Sequence, residues 1–258
     1  MRPWLLEETN LGHVRQQEER FQVAVLPMGA TEPHNYHLPY GNDFLTVRRV
    51  GERICDEAYR RGARVVLLPT IPFGVDSNLL QFPLTMHVSL RALEAVLRDI
   101  LRSLECHGIH KLVLLNGHGG NELKPLLREW YGQTKVFATV VDWWKVGQDQ
   151  YAQIFAKPDD HAGEMETSVA LALYPDLVEL EKASDGAKHD ARFEAIRRGW
   201  ASMTRPWHLL TESSGVGDPR AATREKGERY LQLVTERLSQ FLVELAAAKM
   251  DATFPFQE

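Results

Sequence analysis

The chain has 258 residues, 44% of them hydrophobic and 25% charged, with a formal net charge of -5. That length and apolar content suffice for a substantial core in one domain spanning residues 1–258, and the interspersed charges form no basic stripe that would call for nucleic acid or an anionic membrane. There is no apolar run of about 18 residues, as a membrane span needs, and the two cysteines, Cys55 and Cys106, sit in helix-like segments; a cytoplasmic, reduced protein is expected.

The first β-branched apolar run, FQVAVL at 21–26, reads as a buried strand. A Gly- and Pro-rich loop follows, PMGATEPHNYHLPYGND at 27–43, and then a helical pattern at 44–61. A second strand, RVVLL at 64–68, leads to a helix at 89–107. A third, KLVLL at 111–115, ends in NGHGGN at 116–121 and passes into a helix at 122–131. The fourth, VFATVV at 136–141, runs into Trp143 and Trp144, which point to opposite sides if the strand continues. Beyond it come DDHAGEMETS at 159–168, a helix at 165–173, an irregular stretch to about 217 that contains the loop signal SSGVGDP, and a long helix at 221–248. Alternating strands and helices predict a three-layer α/β/α sandwich around a mainly parallel sheet.

Ligands of parallel sheets bind beyond the carboxyl ends of strands, so the residues just past each run carry most of the functional signal. The loop after the first strand offers Glu32, His34, His37 and Asp43, an oxygen and nitrogen set suited to Zn²⁺, Mn²⁺ or Fe²⁺. Taken alone it could equally be a polar loop in which Asp43 caps the next helix. After the third strand, glycines around His118 allow close backbone approach; a phosphate-cradling loop is the weaker alternative, since the segment lacks GxGxxG spacing and a following Lys. In the third segment, a helix already under way at His161 would put Glu164 on the same face as His161 and turn Glu166 away.

Together these segments resemble the creatininase family: PMGATEPH at 27–34 with Asp43, NGHGGN at 116, HAGEMETS at 161, LALYPDLVEL at 171 and TREKGE at 223. The resemblance implies that Glu32 and His118 bind one divalent ion, His34 the other, and Asp43 both. It makes His161 the catalytic histidine, beside an acidic position held by Asp160. It also implies two ions per subunit, Zn²⁺ foremost with Mn²⁺ or Fe²⁺ as alternatives, and a homo-oligomer, a hexamer in the family. Creatininase resembles NGHYEN where this chain reads NGHGGN, so a tyrosine that contacts substrate and a metal-binding glutamate are replaced by Gly119 and Gly120. The lost carboxylate is expected from Glu164, with Glu166 as the alternative.

The aromatic box keeps Trp144 (or Trp143) but has no tryptophan in AKPDD at 156–160, and FPLTMH at 82–87 departs from the family's FPGT-like turn. These differences point away from creatinine itself. The expected function is hydrolysis of a C–N bond in a cyclic amide or related small molecule by a metal-bridging hydroxide. In that scheme His161 donates a proton to the leaving group, Asp160 orients its ring, and backbone N–H groups of residues 117–120 help hold the oxyanion. The alternatives are ring-opening C–C hydrolysis of a cyclic diketone such as a diketo-inositol, and a non-catalytic metal- or ligand-binding module. His37 and His87 are further candidates for the substrate pocket.

Overall fold

A computed structural model describes residues 2–16 and 21–256. Its sheet contains β1 (Val23–Met28), β2 (Val65–Leu67), β3 (Lys111–Asn116) and β4 (Phe137–Asp142), all parallel, in the order β2-β1-β3-β4. The longer helices are α1 (Asn42–Arg60), α2 (Leu90–Cys106), α3 (Lys124–Trp130), α4 (Glu164–Leu173) and α5 (Arg224–Ala247).

Strand alternation sorts the apolar side chains into two cores. Val23, Val25, Val65, Leu67, Val113 and Leu115 face one side, where they meet Val47 and Ile54 of α1, Met165 and Val169 of α4, and Tyr230 and Val234 of α5. Ala24, Leu26, Met28, Val66, Leu112 and Leu114 face the other, packed on Leu93, Leu97, Leu101 and Leu104 of α2 and on Leu126 and Trp130 of α3. The 4- and 3-residue spacing in α2 keeps those leucines on one stripe. Helices on both faces make the expected α/β/α sandwich.

The helix ends have local causes. The Ser89 Oγ accepts from the Ala92 N–H at 3.2 Å and starts α2; Thr223 Oγ1 accepts from the Lys226 N–H at 3.3 Å and starts α5. That cap, preceded by a 3₁₀ turn at Pro219–Ala221, explains why α5 begins later than its apolar pattern does. α1 begins at Asn42 without a side-chain cap, which leaves the Asp43 carboxylate for another role.

Register determines where the site forms. Met28 pairs with Asn116 and Asn116 with Asp142, so β1, β3 and β4 end on one line. The loops leaving that line converge above the sheet. Asn116 braces them by donating from Nδ2 to the Asp142 carboxylate and to the His118 carbonyl, both at 2.9 Å.

Candidate active site

Three buried histidines project from these loops, and each has one ring nitrogen directed at a backbone carbonyl. His34 Nδ1 meets the Glu32 carbonyl at 3.1 Å, His118 Nε2 the Val75 carbonyl at 3.4 Å, and His161 Nε2 the Pro33 carbonyl at 3.0 Å. A carbonyl only accepts, so those nitrogens carry the hydrogens and the opposite nitrogens present lone pairs.

The opposite nitrogens all face carboxylates. His34 Nε2 lies 2.8 Å from Asp43 Oδ1, and His118 Nδ1 lies 3.0 Å from Asp43 Oδ2 and 3.1 Å from Glu32 Oε1. His161 Nδ1 is 3.9 Å from Glu32 Oε1. Lone pairs set against carboxylate oxygens repel unless a proton or a cation lies between them. Glu32 Oε2, His34 Nε2 and both oxygens of Asp76 are buried without a hydrogen-bond partner, which is the signature of a site built for positive charge. Among the described residues, three groups have the spacing of metal ligands: His34, Asp43 and Glu166; Glu32, Asp76 and His118; Glu32, His34 and His161.

Protonation of the metal-free cluster follows from the same contacts. Burial opposes the charged form of His34, but the adjacent Asp43 carboxylate outweighs it and holds His34 up to about 10. Asp43 is lowered although burial would raise it, because His34 and His118 stand beside it. Burial raises the Glu32 carboxyl and pushes Glu166 up to about 8. His161 is lowered by burial and by neighbouring His34, so its ring is neutral near pH 7.

Glu32, His34, Asp43 and His118 therefore come together as the sequence motifs imply. The carboxylate that joins them from the third segment is Glu166, the alternative, and Glu164 is a correction. Its Oε1 pairs with Lys226 Nζ at 2.5 Å and its Oε2 accepts from the Ala156 N–H at 2.8 Å, away from the cluster. The helical spacing rule failed because α4 starts only at Glu164; Ala162, at φ 52°, turns the chain between His161 and the helix.

Asp160 is a second correction. Its carboxylate pairs with Arg205 at the pocket wall and does not contact the His161 ring, which the Pro33 carbonyl orients instead. The backbone here is pinned by the SSGVGDP loop: the Asp160 and His161 N–H groups donate to the Val216 carbonyl, and the Val216 N–H donates back to His161. Ser214 Oγ also donates to the Pro33 carbonyl at 2.9 Å. A segment that reads as plain turn thus holds the histidine in place.

The cluster forms the floor of a cavity of about 970 Å³, whose walls include Gly119, Gly120, Trp144, Arg205 and Trp207. Trp143 is buried in the core and Trp144, which packs against the same core, also lines the cavity; the strand ends at Asp142 and both lie in a 3₁₀ turn, so strand alternation does not set their directions. The aromatic residue missing from 156–160 has a counterpart in Trp207, whose ring centroid lies 5.0 Å from that of His161 and under the Arg205 guanidinium at 4.7 Å. No local pattern marks it, because it arrives from the irregular stretch. Asp76 was also missed, although it follows β2 in PFGVDSN, where the strand-end rule would have found it. His37 and His87 do not line the cavity: His37 Nε2 contacts Thr167 Oγ1 at 2.8 Å, and His87 Nδ1 accepts from the Asp76 N–H at 3.0 Å.

Known proteins resemble this chain over most of its length. The family model described as creatinine amidohydrolase (Creatininase) matches residues 7–242. A creatinine amidohydrolase of Pseudomonas putida is 32% identical over 86% of this chain and 89% of its own length. A mycofactocin precursor peptide peptidase of Mycobacterium ulcerans is 30% identical over 84% of this chain and 83% of its own. Among solved structures, a creatinine amidohydrolase-type protein of Bacteroides fragilis superposes with a TM-score of 0.89 at 35% identity, covering 97% of this chain and 99% of that one. A manganese form of creatininase superposes at 0.75 with 26% identity, covering 95% and 99%.

Proposed function

The chain belongs to the creatininase family of hydrolases, and from that premise we propose that it is a dinuclear metal-dependent amidohydrolase acting on a cyclic amide or a related small molecule. The observation that carries this reading is the tautomer pattern: three rings donate to backbone carbonyls and turn their free nitrogens onto shared carboxylates. In this assignment Glu32 and His118 would hold one ion and His34 and Glu166 the other, with Asp43, which has one oxygen near each histidine, available to both. Zn²⁺ is the leading candidate and Mn²⁺ the next. When bound, such a pair supplies Lewis acidity and lowers the pKa of water.

The rest is done by the chain. His161 is neutral and has its Nδ1 facing the cluster, so that atom accepts the proton of the attacking water and returns it to the leaving nitrogen. Gly117 N–H is used by the Met28 carbonyl and His118 N–H by Asn116 Oδ1, which leaves the Gly119 and Gly120 amides at the cavity wall to meet the developing oxyanion. Trp144 and Trp207 provide flat apolar walls for a ring. The amidohydrolase and peptidase relatives are both named for amide hydrolysis, which favours C–N cleavage as the shared chemistry.

The test is to load the protein with Zn²⁺ or Mn²⁺ and incubate it with cyclic amides, short peptides and diketo-inositols. Amide turnover that disappears with a chelator and with His161→Ala is expected. Turnover of a diketone without any amide would replace this reading with C–C hydrolysis, and metal binding without turnover of any of them would favour a binding module. The same preparation, examined by sedimentation, tests the expected hexamer.

A further inference from the structure

The contacts of His118 point to a role for a carboxylate outside the family motifs. Asp76 is fully buried, neither of its oxygens meets a hydrogen-bond donor of good alignment, and Oδ1 lies 2.9 Å from His118 Nε2. An isolated buried carboxylate is costly, so its charge must be answered nearby. The polar neighbour within reach is the imidazole, and Nδ1 of that ring is the atom turned to Glu32 and Asp43.

We propose that Asp76 is a positioning residue of the metal centre, acting through His118: it stands against the Nε2–H side of the ring, fixes that tautomer and raises the basicity of Nδ1 toward the ion. Carboxylates behind metal-binding histidines commonly act in this way. The inference rests on the metal reading above and extends it to a residue outside the ligand set.

Two further observations agree. A Cβ at Gly120 would lie 2.4 Å from His118 Nε2 and 2.4 Å from the Val75 carbonyl, so the ring reaches this position only because residue 120 lacks a side chain. Residue 120 thus has no side chain on the side of the ring where Asp76 supplies a carboxylate. Once ionised, as metal ligands must be, Glu32, Asp43, Asp76 and Glu166 would carry four negative charges, the number that two divalent ions neutralise. His87, which accepts the Asp76 N–H, and Asn121, whose Oδ1 accepts the Val75 N–H at 3.2 Å, hold the supporting loop.

The experiment compares wild type, Asp76→Ala, Asp76→Asn and Gly120→Ala for metal content after dialysis, for Zn²⁺ affinity by chelator competition, and for the visible spectrum of the Co²⁺-loaded form. Asp76→Ala is expected to weaken retention roughly 10- to 100-fold and to shift the Co²⁺ bands, with Asp76→Asn less affected because it keeps an acceptor oxygen. Gly120→Ala, which displaces the ring, should weaken retention as well, and Asp76→Ala combined with it should add little. Asp76→Ala that folds and binds both ions like wild type, with unchanged Co²⁺ bands, overturns the proposal. So does a variant whose metal-free Tm falls while its ion affinity stays, since that is a packing role only. Wild type that binds no ion at all would instead overturn the metal reading itself, and this inference with it.

Discussion

The floor and the wall of the cavity are built on different principles. On the floor, Glu32, His34, Asp43 and His118 stand on short segments that leave β1 and β3 along one line of register, and all four are buried. On the wall, Trp207 and Arg205 come from a stretch with little regular structure, and Arg205 is held by Asp160, whose side chain is about half exposed. The floor can hold charge because its members fix one another. The wall is tied to the floor through His161, whose backbone is bridged to Val216, and through Ser214, which bonds to Pro33 and Asn35. The residues suited to chemistry thus stand at the carboxyl edge of the sheet, while the aromatic wall stands on loops.

The sharpest way to break that division is Asp43→Ala, which removes the carboxylate that lies 2.8 Å from His34 Nε2 and 3.0 Å from His118 Nδ1. If the proposed two-ion centre is present, both ions should be lost and kcat/KM should fall at least about a thousandfold, some 4 kcal/mol of transition-state stabilisation. Metal analysis and an amide assay check it. Glu166→Gln and Glu164→Gln make the finer comparison. The first should lower metal content. The second should leave metal content at the wild-type level and lower Tm by several degrees, because it breaks the pair with Lys226.

His161 connects the two regions and should show the next largest effect. His161→Ala is expected to reduce kcat by about a hundredfold or more with both ions retained, as for a proton-transfer group, while Asp160→Asn should leave kcat within a few-fold, since Asp160 faces Arg205 and not the ring. Equal losses in the two variants would restore the orienting role to Asp160. On the wall itself, Trp207→Ala should raise KM by roughly tenfold and change metal content little, in line with loss of one apolar contact surface.

The same division explains what was legible in the sequence. The parallel sheet, its order of strands and helices, and the residue types of the floor follow from apolar periodicity and from polar residues clustered after β1 and β3. The choice between Glu164 and Glu166 was not legible, because it depends on one residue: with Ala162 at positive φ, the chain turns before α4 begins, and helical spacing measured from His161 has no meaning there. Trp207 was hidden for a different reason. No local pattern marks a tryptophan as neighbouring a histidine so far away in sequence when the segment between them has no strand register to align it. Asp76 lies between these cases: its position after β2 is visible, but its orientation toward His118 depends on the absence of a side chain at Gly120, a tertiary condition.

The smallest predicted effect concerns the layer behind the floor. His37 is buried against α4 with Nε2 on Thr167 Oγ1, and burial, reinforced by the nearby His34, lowers it to about 4. Its folded value lies below the ordinary histidine value of about 6.5, so the folded state resists protonation more than the unfolded chain does. The stability it contributes is complete above pH 6.5 and is lost as the pH falls from there through about 4. His37→Gln retains a polar partner for Thr167 but cannot take up a proton. Melting curves of metal-free protein between pH 7 and pH 4 should show a shallower decline for the variant than for wild type. Parallel curves would mean that His37 is protonated in the folded protein at no cost, and that the layer beneath the ligands is far more hydrated than its burial shows.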